Sequence, residues 1–208
     1  MDGVRGALRA MLGPDAGIGV TDPAAGGYLW PAEKPAIARA IPKRQAEFAA
    51  GRSAARAALA AIGIAPIAIL QHADRAPRWP AGITGSIAHC DSCCIAAVAR
   101  QTDIGAMGID VEPATALDPD LIPTICTPAE RRWIATTPDP GFAAKQIFSA
   151  KEAVFKAQYP LTGQVIGFDA VSLTLTGDSF IITAGPSLPP LKGVVLIQEG
   201  LILTAALG

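Results

Sequence analysis

The chain has few of the features that mark secreted, membrane-spanning or nucleic-acid-binding proteins. Only 17% of its 208 residues are charged, and the formal net charge of -1 gives no general attraction to nucleic acid or to an acidic membrane. No apolar run is long enough for a spanning helix, because Arg, Asp, Pro or Gly interrupts every one. Residues 1–5 lead into no apolar signal core. We therefore expect a cytoplasmic protein that binds neither nucleic acid nor membrane.

Cysteine is also scarce, and its four copies argue against a structural zinc site. His89 and three cysteines crowd into residues 89–94, but such a site usually takes two ligand pairs, and the fourth cysteine, Cys126, is isolated. The last two cysteines of the group begin the apolar run 93–99, where cysteine acts as a small buried hydrophobic residue. We expect reduced, mostly buried thiols.

Half of the residues are apolar, so the chain can bury a sizeable core. Hydrophobic spacing, turn residues and capping patterns predict the elements of an α+β fold. The first 35 or so residues are rich in Gly, Pro and Ala and show little periodicity, and we assign them no role. The predicted elements are a helix over 43–59, strands over 66–70, 85–89, 92–100 and 106–112, a helix starting at Thr127, a helix over 142–158 that ends before Pro160, and hairpins around Gly177 and Gly200.

The order of these elements divides the chain near residue 105. A helix and several strands fall on each side of this point, although no sequence repeat is obvious. A length of 208 residues suits one large domain or two small ones. We predict two α+β halves, residues 1–104 and 105–208.

Three carboxylates in two separated segments are the most informative feature of the chain. Asp110 and Glu112 alternate with Ile109 and Val111 in a predicted strand, so both carboxylates lie on one face while the apolar residues point into a core. Two carboxylates on one face repel unless a cation neutralises them or one keeps its proton. Together with Glu152 they suggest a divalent metal with oxygen ligands, Mg²⁺ ahead of Ca²⁺ because so few carboxylates are on offer.

Taken singly, each segment has a simpler interpretation. Asp110 and Glu112 also suit the exposed face of a strand. Glu152 and Lys156 are four residues apart on a predicted helix, which is also the spacing of a common solvent-exposed ion pair worth only a few tenths of a kcal/mol. The joint occurrence of the two segments, about forty residues apart, favours a functional role.

The two segments resemble the signature pair of the 4'-phosphopantetheinyl transferases. They read Gly-Ile-Asp-Val-Glu-Pro at 108–113 and Phe-Ser-Ala-Lys-Glu-Ala-Val-Phe-Lys at 148–156. Upstream, the segments 43–48, 51–56 and 79–90, the last containing Ser-Ile-Ala-His, resemble the CoA-binding blocks of the family. The resemblance begins near residue 37, runs to the C-terminus, and is strongest to the surfactin-type branch, particularly its enterobactin-synthase-associated relatives.

The resemblance implies a fold and a reaction. The fold would consist of two similar α+β halves related by pseudo-two-fold symmetry, the first carrying most contacts to the CoA nucleotide and the second the metal and the catalytic carboxylates. The reaction would transfer the 4'-phosphopantetheine arm of CoA to a serine of an acyl or peptidyl carrier protein and release adenosine 3',5'-bisphosphate. We expect a monomer with its active site at the junction of the halves, serving siderophore, polyketide or lipid synthesis.

The resemblance also assigns residues to the site. Asp110, Glu112 and Glu152 would hold Mg²⁺, or alternatively Mn²⁺, against the pyrophosphate oxygens. The catalytic groups would be Glu152, Lys156 and Glu112: Lys156 neutralises pyrophosphate charge, and Glu152 takes the serine proton directly, through Glu112 or through a water. A carboxylate on a metal is a weak base, so the two roles of Glu152 conflict. The residues expected to bind CoA are Arg44, Arg52, Arg75, Ser86, Ala88, His89 and Lys156.

Two other functions fit parts of the pattern. A Mg²⁺-dependent hydrolase that cleaves a nucleotide pyrophosphate would use the same carboxylates and cations, but it would act without a carrier protein. A CoA-binding module without chemistry is disfavoured because Asp110, Glu112, Glu152 and Lys156 are all present.

Overall fold

The computed structural model of the protein describes residues 1–185 and 190–208, which form helices packed on antiparallel sheets. The predicted α+β class is therefore confirmed. Backbone contacts separate the chain into two compact units, Met1–Gly105 and Ala106–Gly208. Within the described ranges, no helix combines the length and the hydrophobicity that crossing a membrane requires.

The first unit is a three-stranded antiparallel sheet covered by one long helix. Its elements are α1 (Asp2–Leu12), β1 (Gly17–Thr21), a short 3-10 helix (Lys34–Ile37), α2 (Pro42–Ala61), β2 (Ile83–His89) and β3 (Cys94–Arg100). The strand order is β1-β3-β2, and α2 packs on β1 and β3. Ile18 of β1 and Ser86 of β2 both lie opposite Ala97 of β3, which fixes the register of the sheet.

The helix α2 packs closely on the sheet because most of its buried residues are alanine or glycine. Pro42 occupies its first turn, where a missing N–H costs nothing, and alanine favours its interior. Gly51 stands where a Cβ would come within 3.2 Å of Ile87, so the glycine allows a close approach of helix and strand. Gly63, at a φ of 76°, ends the helical segment and donates its N–H to the Ala60 carbonyl.

The second unit is a five-stranded antiparallel sheet, again covered by one long helix. Its elements are β4 (Met107–Pro113), a 3-10 helix (Pro119–Leu121), α3 (Ile122–Ile125), α4 (Pro128–Ile134), α5 (Pro140–Thr162), a 3-10 helix (Phe168–Ala170), β5 (Ser172–Thr176), β6 (Ser179–Ala184), β7 (Lys192–Gln198) and β8 (Leu201–Leu207). The strand order is β4-β8-β7-β6-β5, and α5 packs mainly on β4 and β8.

Local sequence patterns correctly predicted several boundaries in this unit. Thr127 and Glu130 form the predicted capping box at the start of α4. Both predicted hairpins are present, as β5–β6 and β7–β8. In the second hairpin Glu199 and Gly200 have φ values of 51° and 73°, the left-handed pair that a tight two-residue turn requires.

Two elements near the N-terminus were missed, although α1 carries a readable pattern. Val4, Leu8, Met11 and Leu12 are its buried residues, and they follow the spacing of one face of a helix. The strand β1, in contrast, contains two glycines in five residues, which lowers its strand propensity. The expectation of little periodicity over the first 35 residues is therefore wrong for α1.

Two further predictions need correction. No strand forms over residues 66–70, because the Ile69 peptide is bonded to side chains, donating to Glu33 and accepting from Arg52. The long helix does not end before Pro160 but continues to Thr162. Pro160 lies in the last turn, where the missing N–H removes a single hydrogen bond, and the helix ends at a left-handed Gly163.

Candidate active site

The carboxylates of β4 face the side of α5 that carries Glu152 and Lys156. Asp110 lies 2.7 Å from the Nζ of Lys156, measured to its Oδ1, and the same Nζ lies 4.0 Å from Oε2 of Glu152. Because Glu152 and Lys156 are one helical turn apart, a single lysine reaches one carboxylate on the strand and one on the helix. The structure thus brings three of the predicted site residues into one cluster.

Glu112, on the same face of β4 as Asp110, pairs with a residue that the sequence did not single out as functional. Its Oε2 lies 2.5 Å from Nζ of Lys145, and the same lysine lies 5.4 Å from the Phe148 ring centre. Lys145 precedes Glu152 by seven residues, two helical turns, so both lie on the face of α5 toward β4. That spacing was the signal available in the sequence.

Asp110 is held by hydrogen bonds to both of its oxygens. Lys156 occupies Oδ1, and the Ser149 hydroxyl donates to Oδ2 at 2.8 Å. Thr204 of β8 in turn donates to the Ser149 carbonyl at 2.9 Å. Ser149 and Thr204 are fully buried, and Asp110 is 5% exposed. The Asp110 carboxylate is therefore fixed in position, a second contribution that the sequence did not reveal.

Burial and mutual repulsion change the ionisation of the two glutamates. Burial raises the pKa of Glu112, and the nearby Asp110 charge raises it further, while the hydrogen bond from Lys145 lowers it. Burial also raises the pKa of Glu152, against the opposing effect of Lys156. The charges of Asp110 and Glu112 also raise the pKa of Glu152, so a further cation would stabilise the ionised forms of both glutamates.

The cluster fits a divalent metal by donor chemistry. In the described part of the chain no group of three or more His, Cys, Asp or Glu side chains is arranged to hold an ion by itself. Asp110, Glu112 and Glu152 nevertheless offer carboxylate oxygens, the donors that Mg²⁺ prefers, and this ion usually takes only one or two carboxylates, with water and substrate phosphates completing its shell. Burial is the main cause of the raised pKa values of Glu112 and Glu152, and the smaller contribution of repulsion between the carboxylates is one that such a cation would relieve.

In the first unit, two of the predicted CoA-binding residues lie in direct contact. Nη1 of Arg44 on α2 is 2.6 Å from Nε2 of His89 at the end of β2. Glu47 lies beside both, 3.1 Å from the Arg44 guanidinium and 3.8 Å from the His89 ring. The Arg44 side chain remains 47% exposed, so it is open to an anionic ligand.

Arg52 is buried and only partly satisfied. It is 4% exposed, its Nε donates to the Ile69 carbonyl at 2.7 Å, and its guanidinium lies 4.1 Å from the centre of the Phe48 ring. Burial lowers the pKa of Arg52 to about 10, and its Nη2 has no hydrogen-bond partner among the described residues. A buried guanidinium N–H without an acceptor is costly, so this position suits an anion such as a phosphate.

The remaining predicted CoA-binding residues are differently placed. Ser86 and Ala88 are buried in β2, and strand alternation directs their side chains to the face opposite that of His89. Ala88 offers only its backbone to a polar ligand. Arg75 lies at an exposed turn with a φ of 72°, in a loop closed by the bond from the His72 N–H to the Ala76 carbonyl.

Comparison with protein-family models places both units in one family. Residues 32–99 match the 4'-phosphopantetheinyl transferase N-terminal domain, and residues 106–191 match the 4'-phosphopantetheinyl transferase superfamily. The chain therefore belongs to the 4'-phosphopantetheinyl transferases. The resemblance of its paired motifs, and with it the predicted class of enzyme, is confirmed.

Individual relatives cover most of the chain. The 4'-phosphopantetheinyl transferase Svp of Streptomyces mobaraensis is 40% identical over 195 residues, 85% of this chain and 77% of the relative. Npt of Nocardia iowensis is 36% identical over 193 residues, 84% of this chain and 87% of the relative. Enterobactin synthase component D of Escherichia coli (strain K12) is 37% identical over 135 residues, 62% of each chain. A crystal structure of Thermotoga maritima holo-[acyl-carrier-protein] synthase matches 50% of this chain and 62% of its own, at 20% identity and a TM-score of 0.42.

Proposed function

We propose that this protein transfers the 4'-phosphopantetheine arm of CoA to a serine hydroxyl of an acyl or peptidyl carrier protein, in a Mg²⁺-dependent reaction that releases adenosine 3',5'-bisphosphate. The observation that carries the proposal is the contact of Lys156 with both Asp110 and Glu152. It unites one cation and two carboxylates in a chain whose family consists of such transferases. The protein acts as a monomer in the cytoplasm.

The second unit handles the pyrophosphate. Asp110, Glu112 and Glu152 would hold the metal, Mg²⁺ or Mn²⁺, which would neutralise charge on the pyrophosphate oxygens. Lys156 binds the same pyrophosphate, since its ammonium already lies at the centre of the cluster. Because Ser149 and Lys156 hold both oxygens of Asp110, that carboxylate needs no rearrangement to keep its place.

Glu152, in a state in which it is not bound to the metal, accepts the proton of the attacking serine directly, through Glu112 or through a water. A serine hydroxyl is a poor nucleophile at neutral pH and needs a base within hydrogen-bond reach. The Glu152 side chain is 30% exposed and the Asp110 side chain only 7%, so Glu152 is the more accessible of the two. Burial raises the pKa of Glu152, which makes its free carboxylate a better base than an exposed glutamate.

The first unit binds the nucleotide end of CoA. Arg44, Arg52 and His89 bind the 3'-phosphate, which is supported by the contact of Arg44 with His89 and by the unpaired Nη2 of Arg52. Ser86 and Ala88 contribute from β2, the latter through its backbone, and Arg75 contributes from its exposed turn. Guanidinium groups suit this task because they bind phosphate through two parallel hydrogen bonds.

One assay tests the proposal against its rivals. The protein is incubated with CoA, Mg²⁺ and an apo carrier protein, and the carrier is examined by mass spectrometry. The expected result is a mass gain of one phosphopantetheine arm, absent from a carrier whose acceptor serine is replaced by alanine. CoA cleavage without any carrier, and with no mass gain on several carriers, would point to a pyrophosphate hydrolase instead. CoA binding with neither reaction would leave a non-catalytic module.

A further inference from the structure

Lys151 directly precedes Glu152, yet its ammonium group lies inside the second unit. Its side chain is 3% exposed. Nζ donates to Oε2 of Glu130 at 2.7 Å, to the Ile125 carbonyl at 2.8 Å and to the Phe168 carbonyl at 2.7 Å. An ammonium has three donors, so these acceptors use all of them. Lys151 has none left for a substrate phosphate.

Both carboxylate oxygens of Glu130, the partner of Lys151, also accept backbone hydrogen bonds. Its Oε1 accepts the Leu173 N–H at 2.7 Å, and its Oε2 accepts the Thr127 N–H at 2.7 Å. A buried ion pair is tolerated when every remaining polar atom of the pair is bonded. The pair therefore ties α5 to the start of α4 and to β5 without contacting the Asp110 cluster.

The first unit contains the same arrangement around a different pair. Nη1 of Arg56 on α2 lies 2.8 Å from Oε1 of the fully buried Glu33. Oε1 of Glu33 accepts the Ile69 N–H at 2.8 Å, and Oε2 accepts the Trp30 N–H at 2.8 Å. Arg56 also donates to the Tyr28 carbonyl. Again one glutamate and one basic residue of the long helix bind backbone groups of neighbouring segments.

The chain positions match as well as the contacts do. The N–H bonded to Oε2 belongs to the residue three positions before the glutamate, Trp30 in one unit and Thr127 in the other. A carbonyl bonded by the basic residue lies five positions before the glutamate, at Tyr28 and at Ile125. The two pairs are therefore copies of one structural feature.

The strands beneath the long helices repeat in the same way. Residues 17–21 read Gly-Ile-Gly-Val-Thr, and residues 108–112 read Gly-Ile-Asp-Val-Glu. A Cβ on the first glycine would lie 2.0 Å from the carbonyl oxygen of Ala58 in the first unit and 1.9 Å from that of Ala153 in the second. Each of these alanines follows the basic residue of the buried pair by two positions.

The two units share the buried ion pair and the glycine contact but differ at the positions of the active-site residues. Where the second unit has carboxylates and a lysine, the first unit has small residues. Gly19, Thr21, Ala57 and Ala61 stand at the positions of Asp110, Glu112, Glu152 and Lys156. The buried pair therefore occurs in a unit without the carboxylates, which separates its role from theirs.

We infer that Lys151 and Glu130 are positioning residues that orient α5, and with it Glu152, and that Lys151 does not bind CoA phosphates. For Glu152 the inference rests on the proposed transfer reaction. The same geometry assigns Glu33 and Arg56 to the orientation of Arg52, because Ile69 donates its N–H to Glu33 and accepts a hydrogen bond from Arg52 through its carbonyl.

The test compares two lysines of one helix, Lys151→Met and Lys156→Met. For Lys151→Met we expect a lower Tm, a CoA Kd within twofold of the wild-type value and a kcat reduced about 10- to 100-fold, since small misplacements of catalytic groups have such effects. Lys156→Met should instead weaken CoA binding about tenfold or more. Lys151→Arg, which carries the residue type found in the first unit, should restore kcat and Tm. Replacing both partners of the pair, as Glu130→Gln with Lys151→Met, should recover part of the lost Tm.

Each outcome either supports or contradicts the positioning role of Lys151. A Lys151→Met protein with wild-type Tm and a raised Kd for CoA would overturn the inference. A Lys151→Met protein that fails to fold while Lys156→Met folds would support it, because only a framework residue has that effect. If the wild-type protein itself transfers nothing to any carrier, the proposed function fails, and the order of the Tm values still tests the positioning role.

Discussion

Gly108 of β4 lies directly against the carbonyl oxygen of Ala153 on α5. A Cβ at this glycine would come within 1.9 Å of that oxygen and within 2.5 Å of the Ala157 nitrogen. No side chain larger than hydrogen fits there without moving the strand away from the helix. Because β4 carries Asp110 and α5 carries Glu152, this contact also sets the distance between the two carboxylates.

Gly108→Ala should therefore damage both stability and activity. The added methyl group meets backbone, which cannot rotate away, so we expect a loss of about 3 kcal/mol or more in the free energy of unfolding, and a lower kcat in the protein that remains folded. Urea unfolding measures the first effect. Gly6→Ala is the control: Gly6 is an exposed residue of α1 with nothing within 4 Å of its added Cβ, and the change should stabilise by about 1 kcal/mol. Equal stability of the two variants would contradict the packing argument.

Glu152→Gln tests the role of this carboxylate in proton transfer. The amide keeps the shape of the side chain but cannot accept the serine proton, so kcat should fall about 10²- to 10⁴-fold. Asp178→Asn, a change of the same chemistry at an exposed hairpin residue, should leave kcat unchanged. Titration of Mg²⁺ by calorimetry then separates the two roles: unchanged metal affinity indicates a base, and weakened affinity indicates a ligand. A Glu152→Gln enzyme with wild-type kcat would refute both.

Arg52→Ala should weaken the binding of CoA through loss of its 3'-phosphate contact. A hydrogen bond to a charged group contributes about 1.5–3 kcal/mol, which corresponds to a rise of about 10- to 150-fold in Kd. Binding of dephospho-CoA, which lacks the 3'-phosphate, should change little. Arg39→Ala, on an exposed residue of the same unit, should affect neither ligand. An equal loss of affinity for CoA and for dephospho-CoA would mean that Arg52 contacts a part of the nucleotide other than the 3'-phosphate.

Glu33→Gln and Glu130→Gln form a matched pair across the two units. Both should lower Tm, because each leaves a buried cation without its counter-charge. Only Glu33→Gln should weaken the binding of adenosine 3',5'-bisphosphate, since Glu33 holds the peptide that binds Arg52. Only Glu130→Gln should lower kcat at saturating CoA. Weaker binding of adenosine 3',5'-bisphosphate by Glu130→Gln, together with a lower kcat for Glu33→Gln, would contradict the proposed roles of the two units.

The parts of the fold that the sequence predicted are those specified by neighbouring residues. The capping box of Thr127 with Glu130 and the Glu199–Gly200 turn are local, and both are present. The alternation of Asp110 and Glu112 with apolar residues is also local, and it placed both carboxylates correctly in a strand. Ile69 was misassigned because its hydrogen bonds go to side chains far along the chain, on Glu33 and Arg52.

In the site as well, the features set by neighbouring residues could be predicted, and those set by distant residues could not. Glu152 and Lys156 could be paired from their spacing on a helix, whereas the contact of Lys145 with Glu112 and the buried bond from Ser149 to Asp110 depend on how α5 packs on β4. The repeat of the strand motif was present in the sequence but hidden, since the acidic residues that mark it in one unit are a glycine and a threonine in the other. Only the matching contacts of Glu33 and Glu130 make it visible.

Buried thiols should make the protein less stable at alkaline pH. Burial raises the pKa of the fully buried Cys94 from 9.0 to about 12, so this thiol stays protonated in the folded protein while it ionises in the unfolded chain. Above the pKa of the unfolded thiol, about 8.5, the folded state therefore binds one more proton than the unfolded chain. The contribution of Cys94 to the free energy of unfolding is complete below this pH and declines above it by about 1.4 kcal/mol per pH unit. Burial also raises the pKa of Cys126, to about 11, so both thiols contribute to the decline that urea unfolding between pH 8 and 10.5 should show, and Cys94→Ala should show a shallower one. Identical slopes for the wild type and Cys94→Ala would refute the assignment to Cys94.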